Sequence, residues 1–491
     1  MKTLKHLFIA TLCFSFLTSC FDDMDDNLSS SLDIKDFVWQ GMNAVYLYKS
    51  EKPDLANNRF TSDQEYRDYL ESFGGPEELF ENLIYERQAI DRFSWITDDY
   101  IALEQQFNGT TTSNGMEFSL YYAPNSTNDI IGVVRLVLPN SEASNAGLKR
   151  GDIFYAVNET SLTENNYLSL LQNQSYNLSL AIYNDNGTPE DDTDDSIEPT
   201  DESVSISKVP YTENPVYLTE VFEVNGENVG YIMYNGFTSD FNSQLNNAFG
   251  ELQNASVQHL VLDLRYNPGG SVNSATLLGS MVTGGLNGEI FAKQEYNEDI
   301  MSQISNPENL LYRFTSSFNG NSINSLNLDQ LYVITTDRTA SASEMIINSL
   351  KAYIDVVQVG VNTVGKSQAS ITIYDSPDFT REGVNPTHTY AMQPLVAITK
   401  NVNDQVVPHD GLVPDINIVE DYKNLGVLGN QNEPMLALAL ANIAGTGRFS
   451  PHQNLKRLKP VADSNDFIKF EEDMQIDKAL PSFIFNNTLE E

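Results

Sequence analysis

A serine and a lysine 25 residues apart carry the clearest chemistry in this chain. Ser341 lies in T-A-S-A-S-E, Thr339 to Glu344, and Lys366 in V-G-K-S, Val364 to Ser367. A serine hydroxyl is a weak nucleophile until a neighbouring base takes its proton. A lysine can be that base when burial disfavours its charged form. A third segment, V-L-D-L-R-Y-N-P-G-G, Val261 to Gly270, ends an apolar run in a turn where Gly269 and Gly270 let the backbone approach a ligand closely. Backbone N–H groups at such a turn, near a helix start, can face a developing oxyanion. Nucleophile, base and oxyanion donors together would support acyl transfer. Each segment also has a plain structural reading. Ser341-x-x-Glu344 is a capping box, Pro-Gly-Gly is an ordinary turn, and a lysine flanked by glycine is an ordinary surface charge.

The elements around these residues read as alternating strands and helices over 215–450, which predicts a mixed α/β domain with a central sheet. Val216 to Val224 and Val229 to Tyr234 flank Asn225-Gly226, a strong hairpin signal. A helix is predicted over Phe241 to Leu252, and strands over Val257 to Leu264, Leu331 to Thr335, Val356 to Val359 and Leu395 to Thr399. Ser341 thus falls at a strand-to-helix turn, where a nucleophile can stand beside backbone donors.

Residues 33–104 read as a small helical domain without evident chemistry. Val38, Trp39, Met42, Val45 and Tyr46 form one apolar face; Leu79, Phe80, Leu83 and Ile84 form another after the helix start Pro76-Glu77-Glu78. Residues 105–210 read as short β runs and turns. There a strand at Ile130 to Leu138 precedes S-E-A-S-N-A-G-L-K-R-G-D-I-F-Y-A-V-N, Ser141 to Asn158. That stretch resembles the central part of a PDZ domain, and Gly115-Met116-Glu117-Phe118 stands where that family has its carboxylate-binding loop. Asn184 to Glu202 is an acidic insert whose spacing fits no EF-hand loop, so a solvated hairpin loop is expected. Residues 451–491 read as a polar tail.

In order and spacing, the segments over 105–420 resemble the C-terminal processing peptidases, also called tail-specific proteases (peptidase family S41). The PDZ-like stretch, D-L-R-x-N-P-G-G, S-A-S-E, the Gly-Lys turn and D-G-L-V-P-D-I, Asp410 to Ile416, carry the resemblance. It implies a multi-domain α/β protein with a crotonase/ClpP-like peptidase core, acting on unstructured protein or peptide substrates without a cofactor. Ser341 would be the nucleophile and Lys366 its general base. The Ala342 N–H with that of Gly269 or Gly270 would form the oxyanion hole, and Gly115 to Phe118 would read substrate C-termini. Two positions depart from the family pattern: Ser370 stands where many members have Gln, and Ala352 where many have Asp, with Asp355 three residues on. These departures favour the competing reading, a catalytically silent peptidase-like scaffold, whereas the retention of both Ser341 and Lys366 favours an enzyme. A Ser-His-Asp site would have to draw on His259, His388, His409 or His452, none of which sits in a motif, and no zinc signature is present.

The chain has 28 basic and 68 acidic residues, which argues against nucleic acid as a partner. Residues 1–19 read as a signal peptide: Lys2 and Lys5 precede the apolar run Leu7 to Leu17, which is too short to span a bilayer. Leu17-Thr18-Ser19-Cys20 resembles a bacterial lipobox, which implies lipidation at Cys20, a tether over 20–32 and a location in the cell envelope, at the outer membrane. Cys13 and Cys20 are the only cysteines, so the mature chain would carry neither a disulfide nor a cysteine nucleophile.

Overall fold

The computed structural model describes residues 30–188, 193–446, 458–467 and 474–476. Cys20 and the lipobox lie outside the described residues. Among the described residues no helix is long and apolar enough to cross a membrane.

The N-terminal segment opens with the helix Ser31–Val45, capped by Ser30 Oγ, which accepts the Asp33 N–H. Its buried face holds Phe37, Val38, Met42 and Val45; the helix Pro76–Leu83 adds Leu79, Phe80 and Leu83. These side chains do not close a core of their own. They are continuous with the core of the later α/β region, through residues such as Phe291, Met392 and Val396. The short strand Trp95–Thr97 pairs antiparallel with Ala391–Gln393, which fixes the helical segment to the later domain.

The β-rich unit has a separate core. Strands Met116–Tyr122, Ile130–Val137, Ile153–Val157, Ser175–Asn184 and Ser196–Ser207 form an antiparallel sheet. Phe118, Val134, Phe154, Leu178 and Ile206 fill its inner face. Of the acidic insert, Asn184 to Glu202, the part from Ser196 belongs to the strand Ser196–Ser207 and not to a loop. Asp195, just before that strand, is buried, where the Tyr183 hydroxyl and Lys423 Nζ bond to its carboxylate.

In the later α/β region the hairpin Val216–Val224/Glu227–Tyr234 forms as expected, with Asn225 and Gly226 both at positive φ. Glu227–Tyr234 then begins a parallel run through His259–Asp263, Gln330–Thr335, Asp355–Gly360 and Ile416–Asn417. Buried on both faces, these strands carry near-continuous apolar stretches such as Leu260 to Leu262 and Leu331 to Ile334. Helices Asn242–Asn254, Val272–Thr283 and Ala342–Leu350 pack on one side, where Leu245, Leu278 and Met345 share one core. Pro434–Ile443 packs on the other, with Leu436 against Val261 and Ile334. A second sheet runs Gly270–Ser271, Met474–Gln475, Gln368–Ser370, Leu395–Lys400, Ile290–Tyr296, Leu311–Arg313.

The segment read as a polar tail contributes strands to two sheets. Pro460–Asp463 pairs antiparallel with the edge strand Met116–Tyr122 of the β-rich unit. Met474–Gln475 runs parallel between Gly270–Ser271 and Gln368–Ser370. Neither strand exceeds four residues, so neither shows a period in the sequence.

Candidate active site

Ser341 sits at the turn between the strand Gln330–Thr335 and the helix Ala342–Leu350, with φ 63° and ψ −115°. A non-glycine residue in that region costs on the order of 1–3 kcal/mol, and such strain is held where surrounding bonds over-determine it. Here those bonds come from Asn267 and Glu344. The Asn267 carbonyl accepts the Ala340 N–H at 3.2 Å and the Ser343 hydroxyl at 3.1 Å. The Glu344 carboxylate accepts the Ser341 N–H at 2.8 Å. The reciprocal approach of the Glu344 amide to Ser341 Oγ is of capping-box type but falls short of a hydrogen bond. Ser341 Oγ is therefore buried without a hydrogen-bond partner among the described residues, so capping leaves the hydroxyl unused.

Glu344 does more than close its own helix. One of its oxygens accepts both the Ser341 N–H and the Lys366 N–H, the latter at 2.9 Å; the other accepts the Gly365 N–H at 2.7 Å and the Thr363 hydroxyl. A single buried carboxylate thus ties the serine turn to the lysine turn. Burial pushes the Glu344 carboxyl up, while the bonds from Thr363, Lys366, Ser341 and Gly365 pull it back. The lysine turn is also packed backbone on backbone. Gly365 has φ 88°, and a Cβ there would lie 1.9 Å from the His409 carbonyl oxygen, so only glycine fits. From the D-G-L-V-P-D-I stretch, the Leu412 N–H donates to Thr363 Oγ1 at 2.8 Å, bracing the residue that Glu344 holds.

Ser341 and Lys366 are both 0% exposed. Lys366 Nζ lies 4.9 Å from the centre of the Phe93 ring, and Arg92 donates to the Val364 and Gly365 carbonyls, each at 3.3 Å. The N-terminal helical segment, which offered no chemistry as sequence, therefore forms part of the lysine's wall. No periodicity connects residue 93 to residue 366; an Arg-Phe pair after a helix was the only local signal.

Of the three residues expected to offer oxyanion donors, the structure separates Gly269 from the others. Its N–H is donated to Asn267 Oδ1 at 2.9 Å, while Asn267 Nδ2 holds the Tyr234 carbonyl at 2.8 Å. Ala342 opens its helix, where the first N–H groups have no partner within the helix. Phe237 takes the Gly269 carbonyl and the Ser271 N–H. By strand alternation the Gly270 amide faces the opposite edge, where Met474–Gln475 pairs.

The Asp-Leu-Arg of the first motif is structural. Arg265, 0% exposed, bonds to Asp263, to Glu433 through both terminal nitrogens at 2.8 and 3.0 Å, and to Glu420 at 3.1 Å. Glu433 caps the helix Pro434–Ile443, and Glu420 also binds Arg150 of the β-rich unit at 2.6 Å. Burial opposes the charge of Glu420, but Arg150 and Arg265 outweigh it and hold the carboxyl down at about 2. This network joins the β-rich unit to the base of the Asn267–Gly270 turn.

The expected carboxylate loop does not offer free amides. The Gly115 N–H donates to Ser113 Oγ at 2.9 Å, the Met116 N–H to Asn114 Oδ1 at 3.0 Å and the Phe118 N–H to Ser464 Oγ at 3.2 Å. Glu117, beside them, points a carboxylate at Arg135. Ser370 is buried between Gln393 and the Met474 carbonyl, and Ala352 lies in the turn after the serine's helix.

Residues 228–417 match peptidase family S41, and residues 33–95 match the peptidase S41 N-terminal domain. The chain belongs to peptidase family S41. It is a serine-type peptidase, a hydrolase acting on protein substrates. A carboxyl-terminal-processing protease of Picosynechococcus sp. is 22% identical over 351 residues, covering 70% of this chain and 73% of that one. A chloroplastic C-terminal processing peptidase of Tetradesmus obliquus is 26% identical over 282 residues, 56% of each chain. Among solved structures, a candidate S41 protease from Bacteroides fragilis superposes with a TM-score of 0.66 at 25% identity, covering 84% of this chain and 98% of that chain.

Proposed function

We propose that this peptidase cleaves unstructured protein or peptide chains with Ser341 as nucleophile and Lys366 as general base. The observation that carries this is the Glu344 carboxylate oxygen shared by the Ser341 and Lys366 amides, which places the two turns within two hydrogen bonds of each other. A neutral Lys366 amine takes the Ser341 proton as Oγ attacks the scissile carbonyl. The oxyanion that forms is met by the N–H group of Ala342 and by that of Gly270 once the strand Met474–Gln475 has left its edge. The amine returns the proton to the leaving nitrogen, which departs and leaves an acyl-enzyme. Water, deprotonated by the same lysine, then attacks the ester, and the lysine passes that proton to Ser341 Oγ as the C–O bond breaks and the acid departs. The PDZ-like unit delivers extended substrate segments, C-termini among them, by adding them as a strand to its edge strand Met116–Tyr122.

Labelling with a serine-reactive probe and hydrolysis of an unfolded protein test the assignment. Labelling lost in Ser341→Ala and hydrolysis lost in Lys366→Arg are the expected results, because a guanidinium stays protonated. Turnover retained in Lys366→Arg would overturn it. We further propose that Cys20 carries the lipid that holds the enzyme at the outer membrane. Fractionation of cells making Cys20→Ala, with the protein then released from membranes, is the check.

A further inference from the structure

The edge of the PDZ-like sheet is already occupied. Residues 460–463 run antiparallel along Met116–Tyr122, with Pro460 opposite Tyr121, Ala462 opposite Leu120 and Asp463 opposite Ser119; the Tyr122 N–H adds a bond to the Lys459 carbonyl at 3.0 Å. The contact joins residues more than 300 positions apart, and it ends at the loop where a strand-adding ligand would end.

Two side chains of this segment are held by built pockets. The Asp463 carboxylate meets Arg338 Nε at 2.8 Å and Nη2 at 2.6 Å, Arg135 Nη1, and Ser119 Oγ at 3.2 Å. Burial opposes its charge, but Arg135 and Arg338 win and lower its pKa. Four residues on, the Phe467 ring lies 5.8 Å from Phe118 and 6.4 Å from Tyr167 between ring centres. Arg135 also reaches Asn465 Oδ1 at 2.5 Å. No free carboxylate terminus is needed for any of these contacts, consistent with the committed amides of Gly115, Met116 and Phe118.

The cavity beside Phe467, about 420 Å³, runs past Glu213, Asn235 and Pro268. A second cavity of about 170 Å³ shares those three residues and reaches Gly269, Gly270 and Gln475. The same tail thus fills both ends of a path from the PDZ-like edge to the oxyanion loop, where its strand Met474–Gln475 faces the Gly270 amide.

We propose that this edge is a docking surface for internal extended peptide segments bearing a carboxylate and, four residues later, an aromatic ring, and that residues 460–467 are its intramolecular occupant, which a substrate must displace. This rests on the reading of the PDZ-like unit as the module that captures substrate. Arg135 and Arg338 select the carboxylate; Phe118 and Tyr167 select the ring. An occupant tethered in cis acts at an effective concentration of order millimolar. A micromolar competitor of equal intrinsic affinity is therefore suppressed by roughly a thousandfold until the tether's side chains are removed.

The test uses the full chain in the Ser341→Ala background, so that binding is read without hydrolysis, with a fluorescent peptide copying residues 458–468. The expected result is tight binding to the Asp463→Lys/Phe467→Ala chain and at least tenfold weaker binding to the chain with its own tail intact. Replacing the aspartate or the phenylalanine in the peptide, or Arg338→Gln in the tail-released protein, should each weaken binding about tenfold. Should the double variant fail to fold by thermal melt, Phe467→Ala alone replaces it. Equal binding to intact and tail-released chains, no binding to either, or indifference to the aspartate and the ring would each overturn the proposal and make 460–467 a permanent strand of the fold. Probe labelling of Ser341 in the otherwise unaltered chain is read separately, so a failed docking surface and a failed Ser–Lys assignment give different results.

Discussion

The serine turn and the edge strand Met116–Tyr122 of the β-rich unit are both places where a strand meets a loop rich in backbone donors, and they are stabilised in opposite ways. At the serine turn the bonds come from residues fixed in the surrounding sheet and helix: Glu344 is three residues from Ser341, and Asn267 is anchored to Tyr234. At the edge strand the bonds come from residues 458–467, which touch the sheet through one short ladder and the side chains of Asp463, Ser464, Asn465 and Phe467. The first arrangement makes geometry insensitive to what is bound. The second makes the geometry depend on an occupant, and occupants can be exchanged. A peptidase that must attack one carbonyl but accept many chains needs this division.

The comparison breaks most sharply at Ser341 and Lys366. Ser341→Ala and Lys366→Ala should each lower hydrolysis by a factor of about 10³ or more, and the double variant should be no worse than either alone, because the two act as one unit. If Ser341 were only a helix cap, its loss would cost about 0.5–2 kcal/mol of stability and spare activity. Initial rates and thermal melts on the same samples separate the cases.

Glu344→Gln sharpens it. A carboxylate accepts all four bonds at this position, but the amide nitrogen of glutamine is a donor and in either orientation would face donors of the lysine turn, and in one of them the Ser341 N–H as well. Hydrolysis should fall by about 10²-fold, most of it in kcat, while peptide binding at the PDZ-like edge stays unchanged. Loss of both together would show that the two regions are not independent.

The seam between the regions is the next test. Removing Arg265 leaves Asp263 and Glu433 buried without their partner, which costs about 3–5 kcal/mol. Arg265→Met should therefore lower the denaturant midpoint clearly, with no new selectivity for the substrate's aromatic residue.

What the sequence made legible follows from range. Ser341, Lys366 and the Asn-Gly hairpin are recognised by neighbours within a few positions, and the strands from Val257 to Thr399 by their apolar runs. Residues that act across the fold left no such mark. Glu344 was visible only as the partner in a capping box, because its bonds to Thr363, Gly365 and Lys366 need a strand and a turn to come between. Phe93 reads as one more apolar residue until Lys366 is placed over it. Arg265 reads as part of a motif, but Glu420 and Glu433 lie more than 150 residues away. The tail strands were hidden for a different reason: ladders of two to four residues among polar side chains have neither hydrophobic period nor length.

Glu213 gives the smallest expected effect and bears on the path between the two regions. It sits where the two cavities meet, half-buried, with its carboxylate accepting the Asn235 amide at 2.9 Å. Burial, reinforced by the charge of Glu117, pushes its carboxyl up to about 7, and the Asn235 bond only partly offsets this. The folded state therefore holds this proton more tightly than the unfolded chain, whose glutamate titrates near 4.5. Its contribution to stability is fully present below about pH 4.5 and is lost as pH rises to about 7, the reverse of a salt-bridged carboxylate. Glu213→Gln keeps the neutral form at every pH. The variant should match the parent near pH 4.5 and be more stable at pH 8 by about 1–2 kcal/mol, the shift being discounted for partial solvent access. Denaturant melts across that range are the check. A parent whose excess stability at low pH persists unchanged in Glu213→Gln would place the titrating group elsewhere. Because Glu213 lies on the cavity path and outside the serine and lysine turns, its substitution should leave kcat unaltered, and in the kinetics only the pH profile of substrate capture should move.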